Sequence, residues 1–105
     1  MSELIELSAR QAKYLKGLGH HLKPVVQIGK EGITEAVIKT VCAELKNREL
    51  IKVKLGQNCP VDKKKALVLL AEAAQAYPVQ LIGKTILLYK PNLEKPRDKR
   101  IIIPG

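Results

Sequence analysis

The fold is decided by residues 25–34, VVQIGKEGIT. Val25–Ile28 has the composition of a short strand. Thr34 is a suitable N-cap for a helix reaching about Asn47, because its hydroxyl can accept a hydrogen bond from a first-turn N–H. One face of that helix is apolar and carries Val37, Ile38, Val41 and Leu45. The loop Gly29-Lys30-Glu31-Gly32 therefore joins a strand to a helix, as at the start of a β-α-β unit.

A first helix precedes this stretch. It is predicted to begin at Ser8, since Ser8 and Gln11 have the spacing of a capping box. It is predicted to close at Lys23–Pro24, because a residue before proline is biased away from helical dihedral angles. Its apolar face carries Ala12, Leu15, Leu18, Gly19 and Leu22. Its other side carries Arg10, Lys13, His20 and His21, with Lys16 towards the margin.

A second strand and a third helix follow. Leu50–Leu55 alternates between apolar and polar residues, which predicts a strand with one face in the core and one towards water. The inward residues are Ile51, Val53 and Leu55, and the outward ones are Lys52 and Lys54. Asp62 is predicted to cap a helix that runs to about Tyr77. That helix is apolar around most of its circumference, so it is expected to be the most buried of the three.

The chain then forms a hairpin that completes the sheet. Val79–Ile82 and Thr85–Tyr89 flank Gly83-Lys84, the spacing of a two-residue turn. The order α-β-α-β-α-β-β predicts a single α/β domain with a four-stranded mixed sheet and three helices. Successive β-α-β units favour parallel pairing with right-handed crossovers, and the hairpin adds an antiparallel strand. The sequence leaves open how the helices divide between the faces of the sheet.

The predicted domain covers residues 1–91. Residues 92–105 form a polar, basic and proline-containing C-terminal extension. It ends in Ile101, Ile102 and Ile103, which are expected to lie along the domain or to pair with another surface, including that of a second copy.

The charge balance favours polyanionic partners. The 105 residues contain 19 lysines and arginines against 10 acidic residues, a formal charge of +9. Nucleic acid is the first expectation and an anionic membrane surface the second. No apolar run has membrane-spanning length, and the acidic start does not resemble a signal peptide. The chain is therefore predicted to be cytoplasmic, with no membrane partner, cofactor, metal ion or small-molecule substrate. Cys42 and Cys59 are predicted to be reduced, because a cytoplasmic setting disfavours a disulfide.

The loop at residues 29–32 carries the sharpest chemical signal. Its glycines let the backbone approach a ligand, and the helix that follows directs N–H groups and its positive dipole end towards it. The pattern is neither a P-loop nor a dinucleotide fingerprint. By itself it is also compatible with a plain strand-to-helix turn, and Glu31 places a negative charge beside the site. The candidate RNA-binding residues are Gly29, Lys30, Glu31, Gly32, Lys13, Lys16, His20, Lys23, Lys52, Lys54 and Lys84.

The sequence gives less support for other functions. His20-His21, Cys42 and Cys59 could in principle serve catalysis, but no nucleophile–base pairing or carboxylate pair stands out, so no catalytic residue is predicted. Only three tyrosines are present, which predicts contacts to phosphate and sugar rather than base stacking. A nucleoid-type DNA-binding protein remains the alternative to an RNA-binding one.

With these residues laid out, the chain resembles the CRM domain family (chloroplast RNA splicing and ribosome maturation), in particular its stand-alone bacterial YhbY-type members. The matching motifs are residues 15–18 (LKGL), His20, 22–26 (LKPVV), 29–35 (GKEGITE), 49–54 (ELIKVK), 79–85 (VQLIGKT) and 88–91 (LYKP). The resemblance implies a fold similar to the C-terminal domain of translation initiation factor 3. It also implies RNA binding through the GXXG loop and neighbouring basic surface, and association with large-subunit ribosomal precursors.

Overall fold

The computed structural model describes residues 7–96, 98 and 101. These residues form three helices and four strands in the predicted order. The helices are α1 (Ala9–Gly19), α2 (Glu35–Arg48) and α3 (Lys63–Ala74). The strands are β1 (Pro24–Ile28), β2 (Leu50–Leu55), β3 (Tyr77–Ile82) and β4 (Thr85–Tyr89). The predicted single α/β domain with a four-stranded mixed sheet is confirmed.

The strand order is β1-β2-β4-β3. The predicted parallel pairing is confirmed for β1 and β2. It is wrong for β2 and β3, because β4 lies between them and is antiparallel to both. The composition of the strands explains the order: in β4, Ile86–Tyr89 are all buried, which suits an interior strand. In β3, Pro78 cannot donate a backbone hydrogen bond to the sheet, which suits an edge.

The helices divide unequally between the faces of the sheet. α2 and α3 cover one face, where Val41, Leu45 and Leu70 belong to the same buried cluster as Ile51, Val53, Ile86 and Leu88. α1 covers part of the other face, where Leu15 packs with Leu50, Val79, Leu87 and Tyr89. Because α1 lies over one end of this second face only, the prediction for the two outward lysines of β2 needs correction. Lys54 is exposed as predicted, but Lys52 is half-buried.

The helix starts follow the predicted caps. Ser8 and Gln11 form a reciprocal capping box: the Gln11 N–H donates to Ser8 Oγ (3.1 Å) and the Ser8 N–H donates to Gln11 Oε1 (3.0 Å). Thr34 Oγ1 accepts from the Val37 N–H at 3.2 Å. Asp62 Oδ2 accepts from the N–H groups of Lys64 (3.1 Å) and Lys65 (3.3 Å).

The helix ends differ from the predictions. α1 ends at Gly19 rather than at Lys23, because the His20 N–H bonds back to the carbonyls of Lys16 and Gly17 and the chain then leaves for β1. α3 ends at Ala74, before Tyr77. Gln75 adopts a left-handed conformation there (φ 53°, ψ 49°), which closes the last turn and directs the chain into β3.

α3 contains four buried residues, Ala66, Leu70, Ala71 and Ala74, against two in each of the other helices, so it is the most buried as predicted. Its opposite side is not covered, since Val68 and Leu69 are exposed.

The chain after β4 folds back over the end of α2. Glu49 lies between α2 and β2 and is only 1% exposed. Its carboxylate accepts hydrogen bonds from the N–H groups of Asn92 and Ile101, both at 2.8 Å. The Lys95 ammonium also donates to the Asn47 carbonyl at 2.6 Å. Ile101 packs on the Leu15 cluster, so the first of the three isoleucines lies along the domain. Ile102 and Ile103 lie outside the described residues.

Candidate nucleic-acid interface

Three connections meet at one end of the sheet, which we call the loop end. They are the 29–32 loop, the 56–62 loop and the Gly83-Lys84 turn. The parallel strands β1 and β2 both finish here, and β4 starts here. Backbone hydrogen bonds join the connections: the Gly56 N–H donates to the Ile28 carbonyl and the Leu55 N–H donates to the Lys84 carbonyl, both at 2.8 Å. The predicted loop therefore has two neighbours that are distant in sequence.

The two glycines of the 29–32 loop have different roles. The Gly32 N–H donates to the Gly29 carbonyl at 3.1 Å, which closes a tight turn. Gly32 has a positive φ of 72°, and a Cβ there would lie 3.3 Å from Val61 Cγ2. A glycine is therefore required by the fold at this position. At Gly29 a Cβ would meet nothing within 4 Å, so its backbone stays open to a ligand. Lys30 and Glu31 are exposed at the tip.

Beside the loop, part of the sheet is left uncovered by α1. The strand register aligns Gln27 with Lys54, Lys54 with Thr85, and Thr85 with Ile82. Paired residues face the same way, so these four side chains form one row across the sheet, which we call the open row. It spans three inter-strand spacings, roughly 14 Å. Gln27, Lys54 and Ile82 are exposed, with Ile82 at 59%.

Two lysines and a histidine of α1 share one exposed flank of the helix. Side chains two positions apart on a helix point about 200° away from each other, so Leu18 and Lys16 lie on opposite flanks of α1. Leu18 lines a groove with Leu50 and Ile101 at the far end of the sheet. Lys16 is therefore on the flank of α1 that faces away from this groove. Lys13 and His20, one turn before and after it, share that flank, and all three are exposed.

Lys23 lies elsewhere. It lines the groove of ≈ 480 Å³ that also contains Leu18, Arg48 and Ile101, at the end of β2 that is remote from the loop. Of the predicted residues, the structure thus groups the 29–32 loop, Lys54 and Lys84 at the loop end. Half-buried Lys52 lies on the same face of β2 as Lys54, and Lys13, Lys16 and His20 lie on an exposed flank of α1. The structure does not bring Lys23 to the loop end.

Sequence reasoning missed a basic feature of this end. Lys63, Lys64 and Lys65 begin α3 and are all exposed. Lys63 lines a cleft of ≈ 290 Å³ together with Lys84, Val61 and other residues of the 56–62 loop. The available signal was the run of three lysines in a first helical turn, where the positive end of the helix dipole disfavours cations.

Among the residues that the structure describes, the lysines at the loop end form no ion pair with an acidic side chain. Within the described part of the chain the ion pair is Arg48 with Glu44 (2.7 Å), which lies near the far end of the sheet. The tyrosines are not aligned beside the loop: Tyr89 is buried and stacked on half-buried Tyr77, with ring centroids 6.0 Å apart. Tyr14 is exposed on α1. This surface therefore offers unpaired positive charge without an aromatic platform.

Comparison with known proteins shows which family this chain belongs to. The model of the CRS1 / YhbY (CRM) domain matches residues 7–90. The chain belongs to this family. The chain is 40% identical over 98 residues to "Probable RNA-binding protein YqeI" of Bacillus subtilis, covering 93% of this chain and 99% of that protein. It is 40% identical over 88 residues to an RNA-binding protein of Haemophilus influenzae, covering 84% and 89% of the two chains.

A solved structure is similar as well. The hypothetical protein SAV1595 from Staphylococcus aureus superimposes with a TM-score of 0.75 at 41% sequence identity. The match covers 94% of this chain and all of that one. The CRM family match includes all three connections at the loop end and stops before the segment that folds back on Glu49.

Two further observations concern other kinds of site. In the part of the chain that the structure describes, no helix is long and apolar enough to cross a membrane. The same residues contain no cluster of three or more His, Cys, Asp or Glu side chains suited to a metal ion. Cys42 and Cys59 are free thiols that pack at the margin of the larger core cluster.

Proposed function

We propose that this CRM-domain protein is a cytoplasmic ribosome-assembly factor that binds structured ribosomal RNA through the loop end. The observation that carries the proposal is the grouping of unpaired cations around an accessible glycine loop. Lys30 occupies the loop tip, Lys54 lies in the open row and Lys84 in the adjacent turn. Two CRM relatives are named as RNA-binding proteins, which supports RNA as the partner. Association with a large-subunit precursor is the further step of the proposal.

The surface suits recognition of backbone and shape. Lysine ammonium groups bind phosphates as point charges, and the open row presents Gln27 and Thr85 as neutral hydrogen-bonding groups. Tyr89 is buried and Tyr77 is half-buried and stacked on it, so the sheet presents no exposed ring for base stacking of the kind that an RRM uses. Sequence preference is expected to be modest, and affinity is expected to depend strongly on salt.

The test compares Lys30→Glu with Lys46→Glu. Lys46 is an exposed lysine in the last turn of α2, far from the loop end, so the charge change is matched. Affinity for a folded large-subunit ribosomal RNA fragment is measured by fluorescence anisotropy between 50 and 300 mM salt, a range set around the physiological value of roughly 150 mM. Lys30→Glu should weaken binding roughly tenfold, about 1.4 kcal/mol. It should also reduce the salt slope by about 0.7–0.9 for the lost phosphate contact. Lys46→Glu should bind like the parent protein.

Two results would contradict the proposal. Equal affinity for duplex DNA of matched length would favour the nucleoid-type alternative. Failure to co-sediment with precursors of the large subunit in cell extracts would remove the assembly role, even if RNA binding stands.

A further inference from the structure

The charged patch at the start of α3 lies on the opposite face of the sheet from the open row. We propose that Lys63, Lys64 and Lys65 form a second RNA contact, so that the phosphate chain passes around the loop end and is held on both faces. This inference rests on the proposed function and extends its site. The ligand is the sugar–phosphate backbone of RNA.

The patch is not explained by the stability of the fold. Three adjacent cations repel one another, and in the first turn of a helix they also oppose the helix dipole. Asp62 is the acidic residue beside them, and its carboxylate is engaged by the N–H groups of Lys64 and Lys65 as the N-cap. None of the three ammonium groups forms an ion pair within the described residues. Residues that oppose folding stability at an exposed site commonly serve binding.

The patch is continuous with the loop that carries the proposed function. Gly32 packs against Pro60 and Val61, so the 29–32 loop contacts the connection that leads directly into α3. Lys84 and Lys63 line the same cleft beside this connection. Lys84 lies in the turn that follows Ile82, the last member of the open row. Lys54, Lys84 and Lys63 therefore follow one another around the end of the sheet, and Asp62, which lines the same cleft, has its carboxylate engaged as the N-cap of α3.

The contact is made by side chains rather than by the helix terminus. Because the Asp62 carboxylate accepts from the N–H groups of Lys64 and Lys65, these two N–H groups are not offered to a phosphate. The three lysine side chains are exposed, which suits a polyanion whose phosphates are repeated along a chain. A single bound anion would need a fixed pocket instead.

The test uses Lys64→Glu. Lys46→Glu is the matched control, and Lys30→Glu tests the 29–32 loop in the same experiment. All four proteins are titrated with the same ribosomal RNA fragment over the same salt series, and their thermal unfolding is recorded. Lys64→Glu is expected to weaken binding roughly fivefold and to reduce the salt slope by about 0.7–0.9. Its melting temperature should be unchanged or higher, because an acidic residue is favourable in a first helical turn.

The outcomes separate the two proposals. If Lys30→Glu weakens binding and Lys64→Glu does not, the second contact is wrong and the loop-centred function stands. If neither substitution weakens binding, both proposals fail. A loss of affinity in Lys46→Glu equal to that in Lys64→Glu would show an effect of net charge alone, which would also overturn the α3 contact.

Discussion

Glu49 offers the sharpest test of how this domain is held together. Its side chain is buried, and its two carboxylate oxygens accept from the N–H groups of Asn92 and Ile101 at 2.8 Å. Its own carbonyl accepts from the Lys90 N–H at 2.8 Å. Glu49 also has a positive φ of 66° with ψ of −38°, a conformation that few residues other than glycine adopt. The informative change is Glu49→Gln, which keeps the backbone and the side-chain volume and alters only the carboxylate.

The expected loss in the free energy of unfolding follows from the two hydrogen bonds to the carboxylate. A bond to a charged group contributes about 1.5–3 kcal/mol to stability. In Glu49→Gln, one oxygen becomes an NH₂ group that faces a backbone N–H, so one bond is lost outright and the other loses its charge. The lower cost of burying a neutral amide offsets part of this. We expect the free energy of unfolding to fall by about 3 kcal/mol, a large share of the roughly 5–15 kcal/mol typical of a domain. The midpoint temperature should fall by roughly 10–20 °C.

The assay is urea unfolding followed by circular dichroism, on the full chain and on a chain that ends at Lys90. The shorter chain lacks both donors to the carboxylate and the segment that folds back over it, so Glu49→Gln should cost less than about 0.5 kcal/mol there, because neither hydrogen bond is present to be lost. The difference between the two backgrounds measures the coupling between Glu49 and the C-terminal segment. An equal loss of unfolding free energy in both chains, or a loss below about 1 kcal/mol in the full chain, would refute the idea that Glu49 holds the C-terminal segment.

Two glycines give further expectations, each with an internal control. Gly32→Ala should lower the free energy of unfolding by about 1–2 kcal/mol, because of its positive φ, and should weaken RNA binding by displacing the loop. Gly29→Ala, which meets nothing within 4 Å, should leave stability nearly unchanged; an equal loss at both positions in urea titrations would contradict this account. Gly19→Val should destabilise by about 2–3 kcal/mol, since a Cβ there would lie 2.7 Å from Leu87 Cδ2. Gly17→Val, in open space on the same helix, should cost much less in the same assay.

The local elements of this fold are predictable because their signals are local. Ser8, Thr34 and Asp62 are the observed N-caps, and each acts within three residues of itself. The strand order is harder to predict from the sequence, since it depends on a comparison between strands that are distant along the chain. Here the signal existed: the apolar run of β4 and the proline in β3 together place β4 inside and β3 at the edge.

In the candidate site, too, the local features were predictable from the sequence and the contacts between distant segments were not. The 29–32 loop was predictable because a strand, two glycines and a helix cap follow one another directly. Its contact with Val61 was not, since nothing in either segment indicates the other. Lys63–Lys65 was missed for a different reason: a search for apolar helical faces gives no weight to exposed charge. Glu49 was equally hidden, because an acidic residue between a helix and a strand usually faces water.

The two ends of the sheet place opposite demands on the chain. A surface that binds a polyanion must keep its cations unpaired, and their mutual repulsion then works against folding. At the loop end Lys30, Lys54 and Lys84 are exposed and without ion pairs in the described residues. The side-chain contacts that hold the C-terminal segment are instead at the far end, where Glu49 accepts from the Asn92 N–H and the Lys90 ammonium donates to the Ala74 carbonyl at 2.9 Å. Because the strands separate these regions, each end can meet its own requirement without weakening the other.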